Sequence, residues 1–401
     1  MAPIQLLLIR PRPLDDELFT SWLVRLAWSN GEKLHSFCYR RLGAVRSLWH
    51  RDLDRFANPA TLALAGVATG IPADRLFATT LASYEGAIYE HHAINGDARW
   101  LTPVKPQSRR HARHGQQYCP DCLREDRIPY FRRIWRLAFM VACPRHGTLL
   151  LDACQHCGSP VSFHEGDFGR RSILKEACPI TICRNCQRDL RFYDAPKSDE
   201  ALLAFVRELA TTLHASWTEI VPRQTLYGLA FFGGLHELLR TLASRTRSRA
   251  IRQHYLHDRN QLCFPIAREG AACCFERLRV HDRYELMCMA ADFINNWPDR
   301  FVGACRQARI TSSHMENYGR PVPYWFEKEL RWSLYRHRYW PSDEEKQALI
   351  AYLRTHGLSC APNNVRRWLG QTYVSTTKAM DPFAPARDHN AGRRCRSHDA
   401  V

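Results

Sequence analysis

The chain has 401 residues, 45% of them hydrophobic and 11% aromatic, with a formal net charge of +17 and a pI near 9.4. That length fits two to four domains, and that much apolar material excludes a wholly disordered chain. The surplus of Lys and Arg points to an anionic partner, nucleic acid first, and no apolar run reaches the ~18 residues of a membrane span.

The start, "MAPIQLLLIRPRPLDDE", has a short apolar stretch without a basic n-region or a clear cleavage site. It reads as mature protein rather than a signal peptide, so a cytoplasmic location without a membrane partner is expected. Residues 1–105 read as an N-terminal helical domain. The segment "DDELFTSWLVRLAWSNG" predicts a helix with an acidic first turn, with Leu18, Trp22, Leu23 and Leu26 on one face. Further on, "NPATLALAGVATGIPADRLFATTL" predicts two short helices about Gly70-Ile71-Pro72. That is the cadence of a helix-turn-helix or of an ordinary helical hairpin. The second segment is poor in Arg, Asn and Gln, the residues that read base edges.

A basic stretch, "KPQSRRHARHGQQ", reads as a linker into a cysteine-rich module within 106–195, which closes before the break at "DAPKSDE". A helical domain is expected over 196–320. In it, "DEALLAFVRELATTLHASW" carries Leu202, Leu203, Val206, Leu209 and Leu213 on one stripe. The stretches "RQTLYGLAFFGGLHELLRTLAS" and "HDRYELMCMAADFINNW" also read as helical, the latter stopped by Pro298. A C-terminal helical region spans 321–380. There "PSDEEKQALIAYLRTHG", with Ser342 as N-cap, and "PNNVRRWLG" form a second helix-turn-helix candidate. Residues 381–401 read as a disordered tail.

Eight metal-ligand residues stand in four x2-spaced pairs: Cys119/Cys122, Cys143/His146, Cys154/Cys157 and Cys183/Cys186. Each pair makes a tight knuckle aiming two donors at one ion, and a tetrahedral site needs two knuckles. Sequential pairing gives one zinc on Cys119, Cys122, Cys143 and His146, and a second on Cys154, Cys157, Cys183 and Cys186. A cross-braced arrangement uses the same ligands, and a single site from the middle pairs would strand the outer four. Cys178 rivals the last pair, and His156 and His164 are weaker rivals. Closed four-ligand sites are structural and not catalytic, so two structural Zn²⁺ ions are expected to contribute folding energy. The remaining cysteines read as small buried hydrophobes in a reducing cytosol.

From 119 to 193 there are 12 Lys/Arg against 8 Asp/Glu, and seven thiolates on two Zn²⁺ bring that surplus down to about +1. The basic regions lie elsewhere: 11 against 5 over 223–283, and 17 against 9 over 300–401. Within them, "RTRSRAIRQHYLHDR" contains Arg245, Arg247, Arg249 and Arg252. The stretch "RWSLYRHRYW" interleaves Arg331, Arg336 and Arg338 with Trp and Tyr, and Arg366 and Arg367 follow in the last predicted helix. Arg beside aromatic planes suits phosphate contact and base stacking; the plain alternative is a solvated basic face over an aromatic core stripe. No phosphate-binding loop, dinucleotide fingerprint, zinc-protease motif or nucleophile elbow is present, so an enzyme is not expected.

In order and spacing, "RPRPLDDELFTSWLVRLAWSNG" and "YCPDCLREDRIPYFRRIWRLAFMVACPRHGTLLLDACQHCGSPV" resemble the TniQ/TnsD family of transposon target-selection proteins. The resemblance covers about the first 190 residues. It implies a mainly α, multi-domain fold in which helix-turn-helix units flank a small zinc-ribbon-type α+β module with two zinc fingers. It also implies a non-catalytic role in transposition and DNA recombination. Such a protein would mark a target by binding DNA or by docking on an RNA-guided CRISPR effector, and would recruit an AAA+ ATPase and transposase. The reading leaves room for a homodimer. A sequence-specific, zinc-containing DNA-binding regulator without a transposition partner is the alternative.

Overall fold

The computed structural model describes residues 6–42, 52–56, 59–93, 96–104, 113–166, 179–221, 224–244, 249–258, 274–312, 322–334 and 341–369. They fall into two compact units, Met1–Tyr335 and Arg336–Val401. The architecture is mainly helical, and among the described residues the one sheet has two strands. No described helix is long and apolar enough to cross a membrane.

The first unit is built around α1 (Phe19–Ser29), in which every residue from Phe19 to Ala27 is buried. The predicted one-sided face is therefore a fully enclosed helix. The acidic run before it does not enter the first turn, and two of its carboxylates, Asp16 and Glu17, have other tasks. Asp16 sits at φ 53° and accepts from Arg133 and from the Ile134 N–H. Glu17 is buried and holds Arg25 at 2.5 Å. The "RPRP" strap lies along α1: the carbonyls of Ile9, Pro11 and Arg12 accept from Asn30, Trp22 and Arg25. Two prolines keep this strap from pairing as a strand interior, since they have no N–H to donate.

Around α1 stand α2 (Leu34–Arg41) and α3 (Leu53–Phe56). Asp54 of α3 accepts from both the N–H and the hydroxyl of Thr20 at 2.7 Å, so the orphan donors at the start of α1 are capped from another segment. The helices α4 (Pro59–Thr69) and α5 (Ala73–Phe77) pack together about a left-handed Gly70. The helical pair expected there is present, but α5 has five residues and only Leu76 of them is buried.

The cysteine-rich region contains a short helix, α6 (Pro120–Glu125), short 3-10 turns, and extended pieces joined by single bridges such as Tyr118 with Leu151 and Ala142 with Leu149. It docks on α1 through "YFRRIWRL". Phe131, Trp135 and Leu137 are buried, Leu18 N–H donates to Phe131 O, and Arg136, 1% exposed, is paired with Asp52 and Asp54. Gly115 to Gln117, at the end of the basic stretch before it, are also buried.

Next comes α7 (Glu200–Ala215), capped by Asp199, with the expected stripe Leu202, Leu203, Val206, Leu209 and Leu213 buried. The following segment corrects the sequence reading. Trp217 and Gln224–Tyr227, read as ends of two helical stretches, lie instead in β1 (Trp217–Val221) and β2 (Gln224–Tyr227), an antiparallel pair with Trp217 opposite Tyr227. Ser216 ends α7 in the left-handed region, and the Gly228 N–H returns to Ser216 O at 2.7 Å. A Cβ at Gly228 would sit 3.1 Å from the Ser216 carbonyl, a tight approach that glycine relieves.

The remaining helices of this unit are α8 (Gly228–Ala243), α9 (Arg249–Asp258), α10 (Val280–Asn295), α11 (Asp299–Gln307) and α12 (Tyr324–Ser333). The helix α10 packs on α7, α8 and α11. Trp297, Phe301, Trp325 and Phe326 stack in one cluster, and the Trp325 indole lies so close over Gly234 that a Cβ there would overlap it. The second unit holds α13 (Asp343–Thr355) and α14 (Pro362–Trp368), packed together. Ser342 is the N-cap that the sequence suggests, and with Glu345 it completes a capping box. The stretch 381–401 lies outside the described residues.

Candidate metal centres

Three of the four knuckles share one local build. The first cysteine's carbonyl accepts from the residue four places on, and its N–H bonds to the carbonyl five places on. The pairs are Gly147 and Thr148 for Cys143, Gly158 and Ser159 for Cys154, and Gln187 and Arg188 for Cys183. The fourth residue stands at φ +63°, +68° and +62° respectively. This fold of the chain leaves the residue three places after the cysteine facing back beside it. The Cys119 knuckle is helical instead: Cys119 is the N-cap of α6, and its sulfur accepts from Cys122 N–H.

These knuckles bring the eight residues together as two groups. Cys119, Cys122, Cys143 and His146 form one, Cys154, Cys157, Cys183 and Cys186 the other, with the donor atoms of each group within 4.8 Å of one another. In the first, His146 Nδ1 lies 3.4, 3.3 and 3.5 Å from the sulfurs of Cys119, Cys122 and Cys143, and Cys122 Sγ is 3.6 Å from Cys143 Sγ. In the second, Cys154 is 3.6 Å from Cys186 and Cys157 is 3.7 Å from Cys183. A tetrahedron with metal–sulfur bonds of about 2.3 Å has edges of about 3.8 Å, so the donor sets fit a tetrahedral ion. Either group could hold a metal ion. The geometry is that of sequential pairing; cross-bracing would need Cys119 beside Cys154.

The crowding has an electrostatic cost that a dication removes. Hydrogen bonding with Cys119 and Cys143 pushes Cys122 far above the usual thiol range, while the bonds Cys143 accepts from Cys119 and Cys122 hold it down to about 3. Three thiols here cannot all ionise unless positive charge sits among them. Outside the first cluster, the Glu125 carboxylate accepts from His146 Nε2 at 2.9 Å, which leaves Nδ1 as the bare donor toward the sulfurs. Nothing in the spacing reveals Glu125, since a charged residue 21 positions from a histidine has no sequence signature. Cys178 lies outside the described residues. His156 and His164 are described, and neither belongs to a cluster.

Of the nine predicted anion-binding arginines, five are described. Arg249 is exposed. Arg252 donates to the carbonyls of Leu242 and Ser244 at the end of α8, so its guanidinium is taken up by the fold. Arg331 is exposed and paired with Glu327 at 2.7 Å. Arg366 and Arg367 are exposed on α14. Arg245, Arg247, Arg336 and Arg338 lie outside the described residues. Of the other cysteines, Cys38 and Cys305 are buried, Cys274, Cys288 and Cys360 half-buried, and Cys178, Cys263, Cys273 and Cys395 outside the described residues.

Residues 8–150 match the family model TniQ. The match begins in the strap along α1, takes in the whole of the first cluster and ends before Cys154, so the second cluster rests on its own geometry. No curated protein matches the sequence.

Proposed function

We propose, from the premise that this chain carries a TniQ domain, that it is a non-catalytic adaptor of transposition. In this reading it marks a target, by contacting DNA or by docking on a target-bound RNA-guided CRISPR effector, and recruits the transposon's AAA+ ATPase and transposase. The carrying observation is the TniQ match over 8–150. The two four-donor clusters support it. With four protein ligands each, they leave no open position for a substrate, as expected of structural rather than catalytic metal.

Both clusters are read as Zn²⁺ sites on the chemistry of their donors: three thiolates with one imidazole, and four thiolates, at tetrahedral spacing. Bound there, the ions supply cross-links that hold the knuckles, and so the surfaces around them, in place. Metal analysis of the purified chain is expected to give two zincs, and of Cys183→Ala one, with protease sensitivity appearing around 154–190. Two zincs retained in Cys183→Ala would contradict the ligand set.

The adaptor reading is tested by co-purification with the ATPase encoded beside it. Capture is the expected result. Tight DNA binding without ATPase capture would instead favour the DNA-binding regulator, a reading supported by the exposed Arg366 and Arg367 on α14.

A further inference from the structure

The two clusters differ in charge and in exposure. Three thiolates and a neutral imidazole around a dication leave one negative charge; four thiolates leave two. Charge left on sulfur is stabilised by hydrogen-bond donors that face it. In the second cluster Cys157 and Cys186 are half-buried, so water can reach their sulfurs. Cys154 and Cys183 are buried, 1% and 5% exposed, and their donors must come from the protein.

In the first cluster the group that reaches in from outside the knuckles is the Glu125 carboxylate on His146. In the second it is a phenol. The Tyr193 hydroxyl lies 3.5 Å from Cys154 Sγ, and among the described residues that sulfur is its one hydrogen-bond partner. An ionised, metal-bearing sulfur has no proton to give, so the hydroxyl is the donor.

The fold fixes the ring in that place. Tyr193 ends a 3-10 turn, Leu190–Phe192, in which Leu190 is buried. Asp189 caps the turn, accepting from the Arg191 N–H at 2.9 Å and from its guanidinium at 2.7 Å. The turn packs on α6, the helix that carries Cys122 of the first cluster. From that helix Arg124 donates to the Arg191 carbonyl at 3.1 Å. The phenol is thus positioned against the helix of the first cluster and directed at a sulfur of the second.

We propose that Tyr193 is a positioning residue of the second metal centre: its hydroxyl donates to the Cys154 thiolate and sets how firmly that centre holds its ion. The inference rests on the reading of the four cysteines as a metal site and makes no use of the adaptor reading.

The test uses the full chain loaded with Co²⁺, whose thiolate charge-transfer band reports on the sulfurs, and EDTA as competitor. Cys183→Ala, which keeps the first centre only, assigns the two steps of metal loss. Tyr193→Phe removes the hydroxyl and keeps the ring. It is expected to hold the second ion about 10–100-fold more weakly and the first as the unaltered chain does. Its charge-transfer band should move to lower energy, because a sulfur that has lost a hydrogen bond gives up electron density more easily. Tyr193→Leu, which removes the ring as well, should add little to the loss.

The inference is overturned if Tyr193→Phe holds both ions like the unaltered chain, or holds the second more weakly with the band unmoved. It is overturned equally if only Tyr193→Leu loses the ion, since the ring and not its hydroxyl would then be what matters. An unaltered chain that binds fewer than two Co²⁺ would sink the metal reading and this inference together. Two ions held alike with and without the hydroxyl would sink this inference alone. Retention of the first ion, with circular dichroism, shows that each variant is folded.

Discussion

Gly147, Gly158 and Gln187 occupy the same left-handed position in three knuckles, yet one of them is glutamine. A side chain at positive φ brings Cβ against the following carbonyl, at a cost of roughly 1–2 kcal/mol. At Gly158 there is open space around the missing Cβ, so the backbone term acts alone. Gly158→Ala should therefore destabilise the chain by about 1–2 kcal/mol, read from the urea midpoint, without changing its metal content. An unaltered midpoint would show that this knuckle adopts another backbone in solution. At Gly147 an added Cβ would also press on Leu203 of α7, 3.1 Å away, so local strain and inter-element packing act together there.

At the scale of elements, the apolar run between the two clusters does more than join them. Leu150 is fully buried, and Asp152, 2% exposed, receives the Arg279 guanidinium at 2.7 and 2.9 Å and the N–H of Val280 at the start of α10. Burial raises the Asp152 carboxyl, but the bonds from Arg279 and Val280 outweigh it and hold the group below its ordinary range. The strap thus caps a helix more than a hundred residues later in the chain, in the favourable sense of the helix dipole. Asp152→Ala leaves the Val280 donor buried and unpaired and should lower stability by about 2 kcal/mol, while Asp152→Asn should cost less. Equal midpoints for Asp152→Ala and the unaltered chain in urea would refute the cap.

At the scale of the molecule, the N-terminal segment, the cysteine-rich region and the later helices share one core, and buried polar groups are placed at its junctions. Arg283, 0% exposed, reaches Ala138 O at 2.6 Å and Gln117 Oε1 at 3.0 Å. His236 on α8 bonds Glu276 at 2.8 Å, and that carboxylate also accepts from Trp100 N–H at 2.9 Å. Burial alone would lower the His236 pKa; the Glu237 carboxylate 3.9 Å away and the bond to the charged Glu276 raise it above 6.5 instead. A histidine raised on folding stabilises fully below its unfolded value and loses that contribution as pH rises through its folded one. The stability advantage of the unaltered chain over His236→Gln should thus be largest near pH 6 and shrink toward pH 9. Thermal midpoints of the two across that range test it, and a constant gap would exclude the charged histidine.

What the sequence determined by itself is local or periodic. The x2 spacing of the ligands, the buried stripe of α7 and the N-cap at Ser342 each depend on residues a few positions apart, where chain geometry leaves one outcome. Even there the pairing of knuckles stayed open, because spacing constrains two donors at a time and not four. The tertiary structure decided what depends on distant neighbours. It determined that α1 is enclosed over Phe19–Ala27, and that Asp16 and Glu17 face Arg133 and Arg25 rather than a helix dipole. It also showed that Trp217–Val221 and Gln224–Tyr227 pair as antiparallel strands beside the return to Ser216, and that Glu125 orients His146. These outcomes turn on contacts between residues far apart in the chain, and no window of sequence contains both partners.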